Sequence, residues 1–415
     1  MSEPRNLSID GDRLWQSIMD IAAIGPTEKG GSRRLALTDL DREARDLFVD
    51  WCDAAGCTVS VDRMGNIFAR RGGRDDSLPP VVTGSHLDTQ PTGGKFDGIF
   101  GVLAGLEVIR SLNDLDYATD HPIEVVVWTN EEGSRFAPAM ISSGVFGGQH
   151  TLEHGLSRTD ADGLTIGEEL ERIGYAGDLP VGGREFHAYV EAHIEQGPIL
   201  EEENISIGVV TGAQGQRWYE ITLTGRESHA GTTPMERRKD ALLGAARVVN
   251  LVNRIGMDNA PDARSTVGII ESYPNSRNVI PGQVFMTAEF RHPDDGILRQ
   301  MDTKLRDGMR TIVHSIGLES QFEEIFYIEP IVFSERCVEA VRNAATRRDL
   351  TTRDIVSGAG HDACNVAAVA PASMIFIPCV DGISHNEIEY AKPEWVTAGG
   401  QVLLGAMLEL AGTKS

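Results

Sequence analysis

The sequence predicts an α/β protein with a mixed central sheet, whose main domain is interrupted by a smaller inserted unit. Three observations carry this. Short apolar runs at 80–84, 123–129 and 373–378 read as buried strands and alternate with stretches of helical periodicity. After Thr211 the pattern changes to strand, helix, two strands, helix, strand, a ferredoxin-like βαββαβ order. From Ile331 the first pattern resumes. The length of 415 residues fits at least two domains at about 100–200 residues each. The expected boundaries are 1–211 and 329–415 for the discontinuous main domain, and 212–328 for the insert.

In chain order, 13–24 (RLWQSIMDIAAI) and 40–55 have apolar residues at helical spacing. Thr38 is the expected N-cap of the second helix and Gly56 its stop. Strands are expected at 58–61 and 66–69, with a turn at Met64-Gly65. The strand at 80–84 leads through a loop with Pro91, Gly93 and Gly94 to a helix at 99–112. Strand 123–129 (IEVVVWT) ends at Asn130-Glu131-Glu132-Gly133. The stretch 138–184 is polar and Gly-rich, with one helix at 166–173. Residues 189–195 (YVEAHIE) alternate as a strand, and Pro198 opens a short helix. The insert reads as strand 217–224, helix 239–255, strands 266–271 and 284–290, helix 297–316 and strand 321–328. Helices at 337–347 and 393–410 then flank strand 373–378.

Composition narrows the function. Lys+Arg 38 against Asp+Glu 62 gives a net charge of −24, which argues against nucleic-acid or anionic-membrane partners. The five cysteines are odd in number and form no CxxC pair, as expected of free thiols in a reducing cytosol. The opening MSEPRNLSID has no apolar signal core, and no uncharged apolar run reaches the ~18 residues of a membrane span. A cytoplasmic protein is expected. No G-x-S-x-G elbow marks a serine hydrolase, and no G-x-G-x-x-G follows the first buried strand.

The chemistry gathers just beyond or on the apolar strands. His86 and Asp88 follow the first, two apart, and would share one face of an extended chain. That suits a histidine metal ligand whose second nitrogen is held by a carboxylate. Asp97, past the Gly-rich loop, is placed to be a second ligand. Glu131 and Glu132 point in different directions, so one can bind metal while the other faces a reacting water. His193 lies on the third strand and His385 follows strand 373–378. Each residue alone reads equally well as a satisfied turn or core group. Together they form an imidazole and carboxylate set without thiolate, suited to Zn²⁺ and also to Mn²⁺, Co²⁺ or Ni²⁺. The set exceeds one open site, and a carboxylate-bridged pair of divalent ions uses it in full.

The segments GSHLDTQPTGGKFDG, WTNEEGSRF, EAHIEQGPILE, GQRWYEITLTGRESHAGTTPM, FRHPD, SGAGHDA and SHNE carry a resemblance. In this order they are similar to the amidase (hydantoinase/carbamoylase) branch of the dinuclear-zinc aminoacylase and carboxypeptidase clan. The branch includes N-carbamoyl-L-amino acid hydrolases, β-ureidopropionases and allantoate amidohydrolases. The resemblance implies that Asp97 bridges two metals, His86 and His193 bind one, and Glu132 and His385 bind the other. It implies Glu131 as general base and Asp88 as the group orienting His86. It also implies a cis peptide after Asp97. The insert corresponds to a lid and dimerisation domain. There His229 would stabilise the oxyanion in a partner subunit's site and Arg291 would clamp a substrate carboxylate. Gln216 and Asn278, with Gln196 and Gly360, match polar substrate contacts. The implied protein is a homodimeric, metal-dependent hydrolase of a small ureido substrate bearing a carboxylate. It would release amino acid, carbon dioxide and ammonia from N-carbamoyl-L-amino acids or N-carbamoyl-β-alanine. The same motifs serve allantoate amidohydrolase. A peptidase, an aminoacylase or an inactive scaffold fits less of the pattern.

Overall fold

A computed structural model describes residues 7–412. Residues 1–6, part of the segment read above for a signal core, lie outside them. The chain divides into two compact units, one of Met1–Thr211 with Val332–Ser415 and the other of Gly212–Ile331.

The first unit is built on a mixed sheet. Its strands run in the order Thr58–Val61, Ile67–Arg71, Ile123–Trp128, Val81–His86, Ala188–Ile194, Ala372–Ile377 and Ile207–Ala213. The four central strands, from Ile123–Trp128 to Ala372–Ile377, are mutually parallel, and their outer neighbours are antiparallel. Every residue of those four strands is buried, as parallel sheets require. Helices Ile99–Asp114 and Pro393–Ala411 pack on each other and on this sheet, and Gly11–Ala22 packs on both of them.

Several elements depart from the sequence reading. The first helix begins earlier, at Gly11, because the Asp10 side chain accepts from the Arg13 N–H and caps it. Residues 138–184 hold two further helices, Ile141–Phe146 and Leu152–Leu156, too short for periodicity to reveal. The strands Ile207–Ala213 and Thr352–Ser357 and the helix Asp362–Val366 were also not anticipated. The alternation in YVEAHIE does not mark a solvent face. Glu191 and His193 alternate with apolar residues but are buried in a polar interior.

In the second unit, strands Ile270–Tyr273, Gln283–His292, Gly215–Thr224 and Glu319–Ile328 lie side by side, all antiparallel. With helices Ala241–Met257 and Asp295–Ile316 they give the ferredoxin-like order. The strand expected at 266–271 is broken into Arg264–Thr266 and Ile270–Tyr273. A core of Tyr219, Ile221, Leu223, Val284, Met286 and Phe290 packs with Leu298, Met301 and Leu305 of the second helix. This unit ends at Ile331, three residues past the boundary expected at 328.

Candidate metal centre

Parallel strands bring their carboxyl ends to one side of a sheet, where α/β proteins build their sites. His86 ends one such strand, and His193 sits near the end of its neighbour. Each imidazole is held from behind by a backbone carbonyl. His86 Nδ1 is 2.9 Å from Asp88 O, and His193 Nδ1 is 2.9 Å from Ile194 O. A carbonyl only accepts, so each Nδ1 carries hydrogen, and in the neutral ring each Nε2 presents a lone pair, the tautomer of a metal ligand. Both Nε2 atoms converge on Asp97 Oδ1, at 3.7 Å from His86 and 3.1 Å from His193.

The other Asp97 oxygen faces a second group. Oδ2 is 3.3 Å from His385 Nε2, which is 3.4 Å from Glu132 Oε2. Asp97 is therefore common to two sets of potential ligands, His86–Asp97–His193 and Asp97–Glu132–His385, each with its ligand atoms within 4.8 Å of one another. The first set is buried, whereas the His385 side chain is half-exposed.

Glu131 and Glu132 diverge at the end of strand Ile123–Trp128. Asn130, at φ 56°, turns the chain there. The Glu131 carboxylate is 3.5 Å from His86 Nε2. Burial, with Asp362 and Glu132 nearby, pushes its pKa well above the usual range. Glu132 is held by the Gln90 side chain at 2.7 Å and the Gln90 N–H at 3.1 Å.

The Asp88 carboxylate is expected to orient His86. In the structure its Oδ1 is 4.0 Å from His86 Nδ1, and the Asp88 backbone carbonyl does the holding. The strand ends at His86, so the two-residue periodicity does not extend to Asp88. The carboxylate instead accepts from the N–H groups of Glu131 at 3.3 Å and Glu132 at 3.2 Å, tying the two loops together. The cis peptide expected after Asp97 is not found. The cis bonds among the described residues precede Pro138, Pro261 and Pro274, and Gly98 makes its turn with φ 73°.

The electrostatics fit divalent cations. The side chains of Glu131 and Glu132 are buried beside Asp97. Burial and like charges so placed push both glutamates up unless a cation compensates, whereas, against burial, His193 and His385 hold Asp97 well below the usual range. Burial, with Asp97 beside it, takes Glu132 up to about 8. Burial drives His86 down to about 4, which keeps it neutral as a ligand must be. Burial also acts to lower His193, but Asp97 and Glu191 outweigh it and hold the pKa at about 9.

Three supporting residues escaped the sequence reading. Glu389, almost fully buried, accepts from the N–H groups of Phe96 at 3.0 Å and Asp97 at 3.1 Å. Ser384 Oγ lies 2.9 Å from both Glu389 Oε2 and Asp97 Oδ2. Gln90 is the third. It stands inside HLDTQ, beside the ligand, whereas nothing in HNEIEY singles out Glu389.

Gln196, expected to contact substrate, donates to Asp97 Oδ2 at 3.0 Å. Gly360 precedes the helix Asp362–Val366, whose Ala363 N–H donates to buried Glu191 at 2.8 Å. The remaining candidates lie in the second unit. His229 Nε2 is 3.5 Å from the Asn278 side chain. Arg291 and Gln216 are register partners on adjacent strands, and the Arg291 guanidinium lies 3.3 Å from Glu289.

Residues 82–409 match the profile of Peptidase family M20/M25/M40. The chain is 51% identical over 406 residues to an N-carbamoyl-L-amino-acid amidohydrolase of Rhizobium meliloti, covering 98% of each chain. It is 33% identical to an allantoate amidohydrolase of Bacillus subtilis, covering 99% of this chain and all of the relative (100%). It is also similar to the crystal structure of an amidase of the hydantoinase/carbamoylase family from Burkholderia multivorans. That match has 66% identity and a TM-score of 0.95, covering 99% of this chain and 100% of the other.

Proposed function

Because the chain belongs to peptidase family M20/M25/M40 and to its hydantoinase/carbamoylase amidases, we propose that it hydrolyses the linear carbamoyl group of N-carbamoyl-L-amino acids. The observation that carries the substrate class is the 51% identity, over nearly the whole chain, to an N-carbamoyl-L-amino-acid amidohydrolase. Allantoate is the second reading, supported by the 33% relative. N-carbamoyl-β-alanine is a further candidate of the same chemistry.

Asp97 would bridge two divalent cations, His86 and His193 holding one, and Glu132 and His385 the other. The two ligand sets sharing Asp97 support this. Zn²⁺ heads the order, with Mn²⁺, Co²⁺ and Ni²⁺ also matching an N/O donor set. When bound, such a pair supplies Lewis acidity and brings the pKa of a water toward ~7. Glu131 takes the proton of the attacking water, whose oxygen bonds to the carbamoyl carbon. His229 donates a hydrogen bond to the oxyanion that forms. Glu131 returns the proton to the leaving nitrogen as the C–N bond breaks. The free amino acid leaves, and the carbamate falls to carbon dioxide and ammonia. Arg291, with Gln216 and Asn278, would hold the substrate carboxylate and its polar neighbours. Gln196 and Gly360 would line the substrate side of the centre.

In this reading Gly212–Ile331 is a lid and dimerisation domain, and His229 completes the site of the partner subunit in a homodimer. A cytoplasmic setting accords with the five unbridged cysteines.

The test is ammonia release from N-carbamoyl-L-amino acids, N-carbamoyl-β-alanine and allantoate, before and after chelation. Activity lost on chelation and restored by one of the four metals, highest with an N-carbamoyl-L-amino acid, is the expected result. Preference for allantoate would move the assignment to the second reading. Mixing His229→Ala with Glu131→Gln protomers tests the dimer. About one restored site per mixed dimer is expected, and no recovery with exchange verified would reject the partner-supplied histidine.

A further inference from the structure

His229 ends the short strand Ser228–His229, which pairs in register with Val279–Ile280. Its ring is fixed from one side. The backbone N–H groups of Gly231 and Thr232 both donate to Nδ1, at 3.0 and 3.1 Å. A backbone amide has only a hydrogen to offer, so Nδ1 must present its lone pair. In the neutral ring the single proton then lies on Nε2. The ring cannot gain a proton at Nδ1 without breaking both bonds.

The turn that supplies those amides is clamped in its own right. Arg238 Nε donates to Thr233 O at 3.0 Å and Nη2 to Ala230 O at 2.7 Å. One guanidinium fork thus grips both ends of the segment 230–233 that wraps Nδ1. The backbone adds Thr233 N–H to His229 O at 3.2 Å and Ala230 N–H to Asn278 O at 3.1 Å. A methyl group on Gly231 would lie 3.3 Å from His229 Cε1, so the wrap is close. The Asn278 amide sits 3.5 Å from Nε2, too far for a strong bond. With hydrogen on Nε2, that amide would have to turn its oxygen toward the ring.

We propose that Arg238 and the turn 230–233 form a lock that presents His229 solely as an Nε2–H hydrogen-bond donor. Arg238 is then a positioning residue for the oxyanion step. The lock's purpose rests on the proposed hydrolysis, but its geometry does not. A donor oriented before the substrate arrives loses nothing to reorganisation during the reaction. The same geometry denies His229 the part of general base, which leaves proton transfer to Glu131.

Two measurements test this separately. In ¹⁵N-histidine-labelled protein near neutral pH, the His229 signals are identified by their loss in His229→Asn. They should show an unprotonated Nδ1 and a protonated Nε2. The opposite tautomer would overturn the lock, whatever the substrate proves to be. In kinetics, Arg238→Met should lower kcat by ~10–100-fold, the scale of misplacing a reacting group by about 1 Å. KM and metal content should not move. In a His229→Asn background the same change should cost nothing further. A full additional loss there would show that Arg238 acts elsewhere and reject its positioning role. If Arg238→Met fails to fold, the NMR result on the unmodified chain still decides the tautomer, and Arg238→Lys, keeping one of the two bonds, should lose an intermediate amount. Failure of the unmodified protein on every carbamoyl substrate would reject the functional reading without touching the tautomer.

Discussion

Glu131 and Glu132 are adjacent in sequence but differ in their surroundings. Glu132 has both oxygens held by Gln90 and faces His385. Glu131 lies beside His86, in neither set that shares Asp97. Glu131→Gln should therefore keep the metal and lower kcat by ~10²–10⁴-fold, the usual worth of a general base. Glu132→Gln should release one metal per chain. Elemental analysis beside kinetics separates the two, and a reversed result would exchange their roles. At this scale the grouping of His86, Asp97, Glu132, His193 and His385 is legible because each lies on an apolar strand or in the loop that follows one. The supporting contacts are not. Whether the carboxylate or the backbone carbonyl of Asp88 meets His86 depends on where a strand stops by one residue, which periodicity does not resolve. Glu389 reaches Asp97 across a gap of 292 residues, and no local pattern announces such a contact.

Among elements, the helix Ile99–Asp114 shows how tightly the scaffold closes on the centre. Its N-cap, Gly98, has φ 73°. A Cβ there would meet the His86 ring at 2.4 Å, well inside contact distance. The Gly98 ψ of −50° puts it in the strained γ-turn region rather than the left-handed helical one, so Gly98→Ala is to be measured in chains whose circular dichroism remains native. It should displace His86 and weaken metal at the buried position, by ~10–100-fold if the loss matches that of removing a ligand's outer support. Competition against a chelating dye would measure this, and wild-type affinity would show that the close approach is dispensable. The central strands and the long helices were readable from the sequence because burial and periodicity agree in them. Helices Ile141–Phe146 and Leu152–Leu156 were not, being little more than one turn each. The strand Thr352–Ser357, with its mixed polar face, lacked an apolar signature.

For the molecule as a whole, the titrating groups imply that metal and pH act together on stability. Without metal, Glu132 is raised to about 8, and His193 and His385 to about 9. Folded chains then hold protons that unfolded chains have already released. The resulting stabilisation is complete below the unfolded pKa values and disappears as pH rises through the folded ones. His86, lowered to about 4, acts in the opposite sense, but only as pH falls below its ordinary value of 6.5. The Tm of chelated protein should therefore decline between about pH 6.5 and 9, whereas bound metal, by displacing those protons, should flatten the curve. Scanning calorimetry with and without chelator checks this, and parallel curves would contradict it. The division into two units followed from the change of pattern after Thr211, whereas the end of the insert at Ile331 is a matter of packing that strand patterns place only within a few residues.

The parallel arrangement of the four central strands has a consequence for biosynthesis. Their shared edge draws its donors from His86, before the insert, and from His385, after it. A ribosome must have translated the whole insert, and the strand Ala372–Ile377 after it, before the second donor set has its histidine. Until then a nascent chain holds only the first donor set, and the proposed second ion has no complete place to bind.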